Sequence, residues 1–149
     1  MISSIRTFIH GGIAALLFLS GKAAAQEDDF LKAEIVTLSW KGTVSGLWFR
    51  TKDGPKMLDV YERGFSAAES YIGPRQIAFY AERAELDLPP EKRPQPAAVA
   101  VLPEGGGEIL LIFVEKEDGR KSWKVEVLDN SIRNLPAGAY RMVNMTKDA

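Results

Sequence analysis

The sequence holds no cysteine and a single histidine, His10. The first absence removes disulfides, thiolate nucleophiles and thiolate metal sites, so packing alone must hold the fold together. The second matters because of where His10 sits. Arg6, the short apolar run Ile13 to Leu19 (IAALLFL) and the small residues Ala23-Ala24-Ala25 follow the order of a secretory signal peptide. Cleavage is expected after Ala25. Discarding residues 1–25 discards the histidine, and with it Ser-His-Asp and Cys-His hydrolysis and ordinary zinc sites.

Long apolar runs are missing too. The run 13–19 is well short of the roughly 20 residues that span a bilayer, and Glu27-Asp28-Asp29 follows closely, so no stable membrane insertion is expected once the signal is cut. Without cysteine, lipid attachment at a new N-terminal thiol is excluded as well. Basic clusters are scarce: the remaining 124 residues carry 17 basic and 20 acidic side chains, a formal charge of −3 with both signs interspersed. That pattern argues against a nucleic-acid partner, which needs clustered Lys and Arg. The expected product is periplasmic or secreted, with residues 26–149 forming one domain.

What the chain does have is period-two alternation between Ala33 and Asn144, the signature of strands. Ala33 to Trp40 places Ile35, Thr37 and Ser39 on one face and Val36, Leu38 and Trp40 on the other, and the second face is the expected core. Leu47 to Arg50 and Met57 to Tyr61 flank Lys52-Asp53-Gly54-Pro55, a hairpin in which Gly54 supplies the positive φ. A second hairpin joins Ile109 to Glu115 with Ser122 to Leu128 through Glu117-Asp118-Gly119-Arg120, where Gly119 takes the same part. Gln76 to Ala81, Ala97 to Leu102 and Ala139 to Met145 complete about seven to eight strands. The spacing of strands and turns predicts an all-β fold, an antiparallel sandwich of immunoglobulin-like or related type. Ala78 to Leu86 also has tolerable helical spacing. Residues 89–96 (PPEKRPQP) hold four prolines and are expected to cross between two sheets as a stiff extended connection. An interdomain linker and a PxxP ligand are the alternatives.

No catalytic residue, cofactor or metal site emerges. Glu82 with Glu85, or Glu115 with Glu117, are pairs that chance supplies among 20 acids. Glu27-Asp28-Asp29 lacks the alternating ligands and central Gly of a calcium loop. Gly105-Gly106-Gly107 has no following helix or Lys and reads as a flexible hairpin tip rather than a phosphate cradle. Trp40, Trp48 and Trp123 raise a carbohydrate reading, and Trp48 is the candidate binding residue because Leu47-Trp48-Phe49 is apolar on both faces. Asn144-Met145-Thr146 fits a glycosylation sequon. In Asn134 to Asn144, Gly138 precedes Tyr140 as in a tyrosine corner, whose phenol bonds upstream backbone. Tyr140 is expected to serve that structural role.

Four stretches together resemble a family of small exported bacterial proteins: Ser66 to Pro74 (Ser-x-x-x-Ser-Tyr-x-Gly-Pro), Ile77-Ala78-Phe79-Tyr80, Leu110 to Phe113, and Leu135 to Thr146 (Leu-Pro-x-Gly-x-Tyr-Arg-x-x-Asn-x-Thr). The resemblance covers most of the mature chain. It implies a β-sandwich without an assigned activity, and therefore carries over no catalytic residue. It also implies further strands past the Asn-x-Thr position, which would leave an unpaired edge near Ala139 to Met145. The expected function is non-catalytic binding of an envelope protein or other envelope component. A carbohydrate-binding module using Trp48 is the alternative for a glycan partner, and a small carboxylate-dependent hydrolase is a third.

Overall fold

The computed structural model describes residues 30–134 and 136–144. The expected signal peptide, the acidic cluster 27–29 and the last two sequon positions lie outside them. The fold is mostly β. In chain order the elements are β1 (Leu31–Ser39), β2 (Val44–Thr51), β3 (Gly54–Val60), β4 (Glu69–Gly73), β5 (Gln76–Phe79), the short helix α1 (Arg83–Asp87), β6 (Ala98–Val101), β7 (Gly107–Glu115) and β8 (Trp123–Asp129). Among the described residues no helix is long and apolar enough to cross a membrane.

The hairpins form where local turn chemistry demands them. Thr51 pairs with Gly54, leaving Lys52 and Asp53 as the loop, and the φ of +123° at Gly54 lies in the region that favours glycine. The Thr51 hydroxyl donates to the Gly54 carbonyl at 2.9 Å, which satisfies a buried polar group at the turn. In the β7–β8 turn Gly119 has φ +74°, and Asp118 accepts from the Arg120 amide at 3.1 Å and the Ser122 hydroxyl at 3.0 Å. Those bonds, the Arg120 amide first, hold the Asp118 carboxyl below its ordinary value.

One sheet has the order β4-β1-β7-β8, and two more strand pairs are β2-β3 and β5-β6. A purely antiparallel arrangement is corrected here: β1 and β7 pair in parallel, Ala33 opposite Gly107 through to Ser39 opposite Phe113. The intervening strands bring the chain back to run alongside β1 in the same direction, which a parallel pair requires. Reciprocal backbone bonds between Trp48 and Tyr80, at 2.7 and 2.8 Å, tie β2 to β5, and Trp123 N donates to Ala97 O beside β6.

The core draws on all of these strands. Phe49, Phe79 and Phe113 form a chain of tilted and edge contacts at 5.5 and 5.4 Å, with Tyr71 6.3 Å from Phe49. Strand β1 faces this core with Ala33, Ile35, Thr37 and Ser39, the opposite of the sequence expectation. The register explains the inversion. Thr37 and Ser39 stand beside Leu111 and Phe113, so small side chains leave room for large ones in a close-packed interior.

Three further expectations change. Ala139 to Asn144 forms no strand, and Met145 lies outside the described residues. The proline-rich segment 89–96 links β5 and β6 of one strand pair, with a 3₁₀ turn at Pro90–Lys92, rather than crossing between sheets. The helical spacing over 78–86 yields one turn only, because Gln76 to Phe79 are committed to pairing with β6.

Candidate functional site

The predicted site residues are scattered. Gly54 and Gly119 occupy their separate turns. Trp48 lies half-buried on the outer side of β2, with the Arg83 guanidinium 5.9 Å from its ring centroid, so one ring face is already occupied. Tyr140 is 97% exposed and lies outside the described strands. Gly138, with φ +82°, instead sits in a turn closed by Ala139 N donating to Pro136 O at 2.9 Å.

The tyrosine that pins backbone is Tyr71. Its hydroxyl donates to Pro74 O at 2.7 Å, and burial pushes its phenol from the ordinary 10.0 up to about 12. Gly73 makes this possible: a Cβ there would meet the Tyr71 ring, with Cζ only 2.6 Å away. The pair Tyr71 and Gly73 explains part of the Ser-Tyr-x-Gly-Pro stretch in physical terms.

The candidate site lies on the face of the four-stranded sheet that points away from the core. There Leu38 of β1 and Leu110 and Ile112 of β7 form an apolar floor, flanked by Trp40 and Phe65. Asn130, Ala139, Tyr140, Arg141 and Val143 supply the opposite wall of a groove of about 490 Å³. That volume falls in the range of small-molecule sites, and the lining is mostly apolar. Trp40 and Phe65 are 47% and 70% exposed. The other end of the same face carries charged side chains, with Lys32, Glu34 and Glu108 beside Ser70 and Ile72 around a shallower depression.

Local geometry places both aromatics. Trp40 follows β1 directly and its amide donates to Phe113 O at 2.9 Å, which extends the parallel ladder by one bond. Phe65 sits in the β3–β4 connection, fixed by a reciprocal pair: Thr37 N donates to Ser66 Oγ and Ser66 N to Thr37 O, both at 2.9 Å. Arg63, two residues earlier, has φ +52°, the one positive φ outside glycine among the described residues, and its amide donates to Ser39 O at 2.9 Å. A left-handed non-glycine costs about 1 kcal/mol and persists where surrounding contacts hold it.

Compared with family models, curated proteins and solved structures, the chain matches none. The groove is therefore read from its own chemistry. It offers aromatic and aliphatic surface with one cationic side chain, Arg141, and an amide, Asn130. Among the described residues no group of three or more acids could hold a metal ion. Such a lining fits binding of an apolar surface.

Sequence reasoning missed this groove because it assigned Val36, Leu38 and Trp40 to the core. Phe65 carried no periodic signal at all. The available clue was the apolar stretch Ile109 to Val114, too continuous for a strand with one wet face.

Proposed function

We propose that the chain is a non-catalytic binding module of the cell envelope, exported to the periplasm or beyond, whose strands form an immunoglobulin-like sandwich. The sandwich reading is supported by a core shared between the four-stranded sheet and the two strand pairs. Export is supported by the signal-like order of residues 1–25. The observation that carries the binding reading is the outer face: a sheet already buried on its inner side exposes Trp40 and Phe65 beside Leu38, Leu110 and Ile112. Exposed apolar patches of this kind mark interaction sites.

The partner is an envelope protein that presents a complementary apolar surface. A glycan is the second reading, because exposed rings stack on flat apolar sugar faces, and Trp40, Phe65 and Tyr140 supply such rings at one place. The test pairs two assays on the full chain: capture from detergent-solubilised envelope and binding to a glycan array. Trp40→Ala with Phe65→Ala is expected to abolish capture while the melting midpoint stays close to that of the parent. Trp48→Ala is expected to leave capture intact. Capture that survives the double substitution overturns this site, and an array signal lost with the same substitutions selects the glycan.

A further inference from the structure

We propose that residues 136–143 are a displaceable strap, which closes part of the outer apolar face until a partner takes its place. The inference rests on the groove being the binding surface. Leu110 and Ile112 point away from the core, alternating with Ile109, Leu111 and Phe113, yet they are only 8% and 5% exposed. Ala139, Tyr140 and Val143 line the groove above them.

The strap is weakly fastened. Among the described residues 136–143, the one backbone bond is internal, Ala139 N to Pro136 O, and no ladder bond reaches the sheet. The polar tie is Arg141, whose Nη2 donates to Asp129 O at 2.6 Å at the end of β8. Its Nη1 is buried without an acceptor, a cost that the closed arrangement carries and an open one relieves. Asp129 organises the anchor. Its carboxylate accepts from the Ser131 amide at 2.9 Å and from Asn134 Nδ2, and the Ser131 side chain first, then the Ser131 amide, Asn134 and the charge of Arg141, hold it below the usual carboxylate range. Tyr140 and Met142 project almost wholly into solvent, at 97% and 98% exposure, so lifting the strap sacrifices no burial at either. A segment that over residues 136–143 shows one side-chain tie to the sheet and no ladder bond belongs to the part of a fold that opens first.

The absence of cysteine makes an introduced thiol a clean reporter. Leu110→Cys places one under the strap, and Ala100→Cys places one in the core, where Ala100 is fully buried. Both are reacted with a soluble aromatic disulfide reagent in the full chain, with and without Arg141→Ala. The strap predicts that Arg141→Ala speeds labelling at position 110 by about tenfold, the size expected for one lost hydrogen bond from a charged donor. The rate at position 100 should not change. Equal rates at position 110 with and without Arg141 overturn the strap, and so does an equal acceleration at both positions, which would report loosening of the whole fold. Thiol rates do not depend on capture, so a failed strap and a failed binding surface give different results.

Discussion

On β1 the inner face presents Ala33, Ile35, Thr37 and Ser39, while the outer face presents Val36 and Leu38 and leads into Trp40. From Val36 onward the inner face, Thr37 and Ser39, is the less apolar of the two, and it is the buried one. On β7 both faces are apolar, with Leu111 and Phe113 packed inward and Leu110 and Ile112 under the groove. The difference teaches that apolar character alone does not assign a face to the core. What assigns it is the presence of a second layer. The inner face meets aromatic rings from β2, β4 and β5, whereas among the described residues the outer face meets Phe65 of a loop, Asn130 and the 136–143 segment.

The widest gap between the faces is expected at two aromatics linked by one backbone bond, Phe113 inside and Trp40 outside. Phe113→Ala should cost about 4 kcal/mol through lost burial and the cavity left behind, and Trp40→Ala about 1 kcal/mol or less. Urea unfolding of both variants measures the gap. A smaller effect separates Tyr71 from Tyr140. Because burial raises the Tyr71 phenol to about 12, the unfolded chain releases that proton first as pH rises above 10. Stability should therefore fall between pH 10 and 12, by on the order of 2 kcal/mol, and Tyr71→Phe should flatten that slope. At neutral pH Tyr71→Phe costs about 1 kcal/mol for the lost bond to Pro74 O.

Thr37 sharpens the comparison in the opposite direction. Its hydroxyl is fully buried on the inner face and has no hydrogen-bond partner. Thr37→Val keeps the shape and removes an unsatisfied polar group, so a gain of about 1 kcal/mol is expected in the urea midpoint. The smallest effect belongs to Tyr140→Phe. An exposed phenol outside the core should change stability by less than about 0.5 kcal/mol, and a larger loss would restore a pinning role to Tyr140.

The two hairpins were legible in the sequence because Asp53-Gly54 and Asp118-Gly119 specify their turns within a few residues. Strands β5, β6 and β8 were legible for the same reason: alternation bounded by Gly or Pro is a local signal. The parallel β1–β7 pairing was not, since it joins segments that are distant along the chain. The role of Tyr71 was not read from the sequence, on similar ground. Gly138 before Tyr140 and Gly73 after Tyr71 look alike as patterns, and only the packing around Phe49 decides which ring is buried. The groove was hidden because Phe65 reaches it through bonds from Ser66 to Thr37, which no periodicity encodes.

The most direct test of the account is a pair of substitutions on one strand, Ile35→Ser and Leu38→Ser, compared by urea unfolding. If the sheet keeps its core on the face of Ile35, the first should unfold the chain or cost roughly 3 kcal/mol or more, and the second should leave a cooperative fold within about 1 to 2 kcal/mol of the parent. The reverse order, with Leu38→Ser the more damaging, would put the core on the other face and remove the groove.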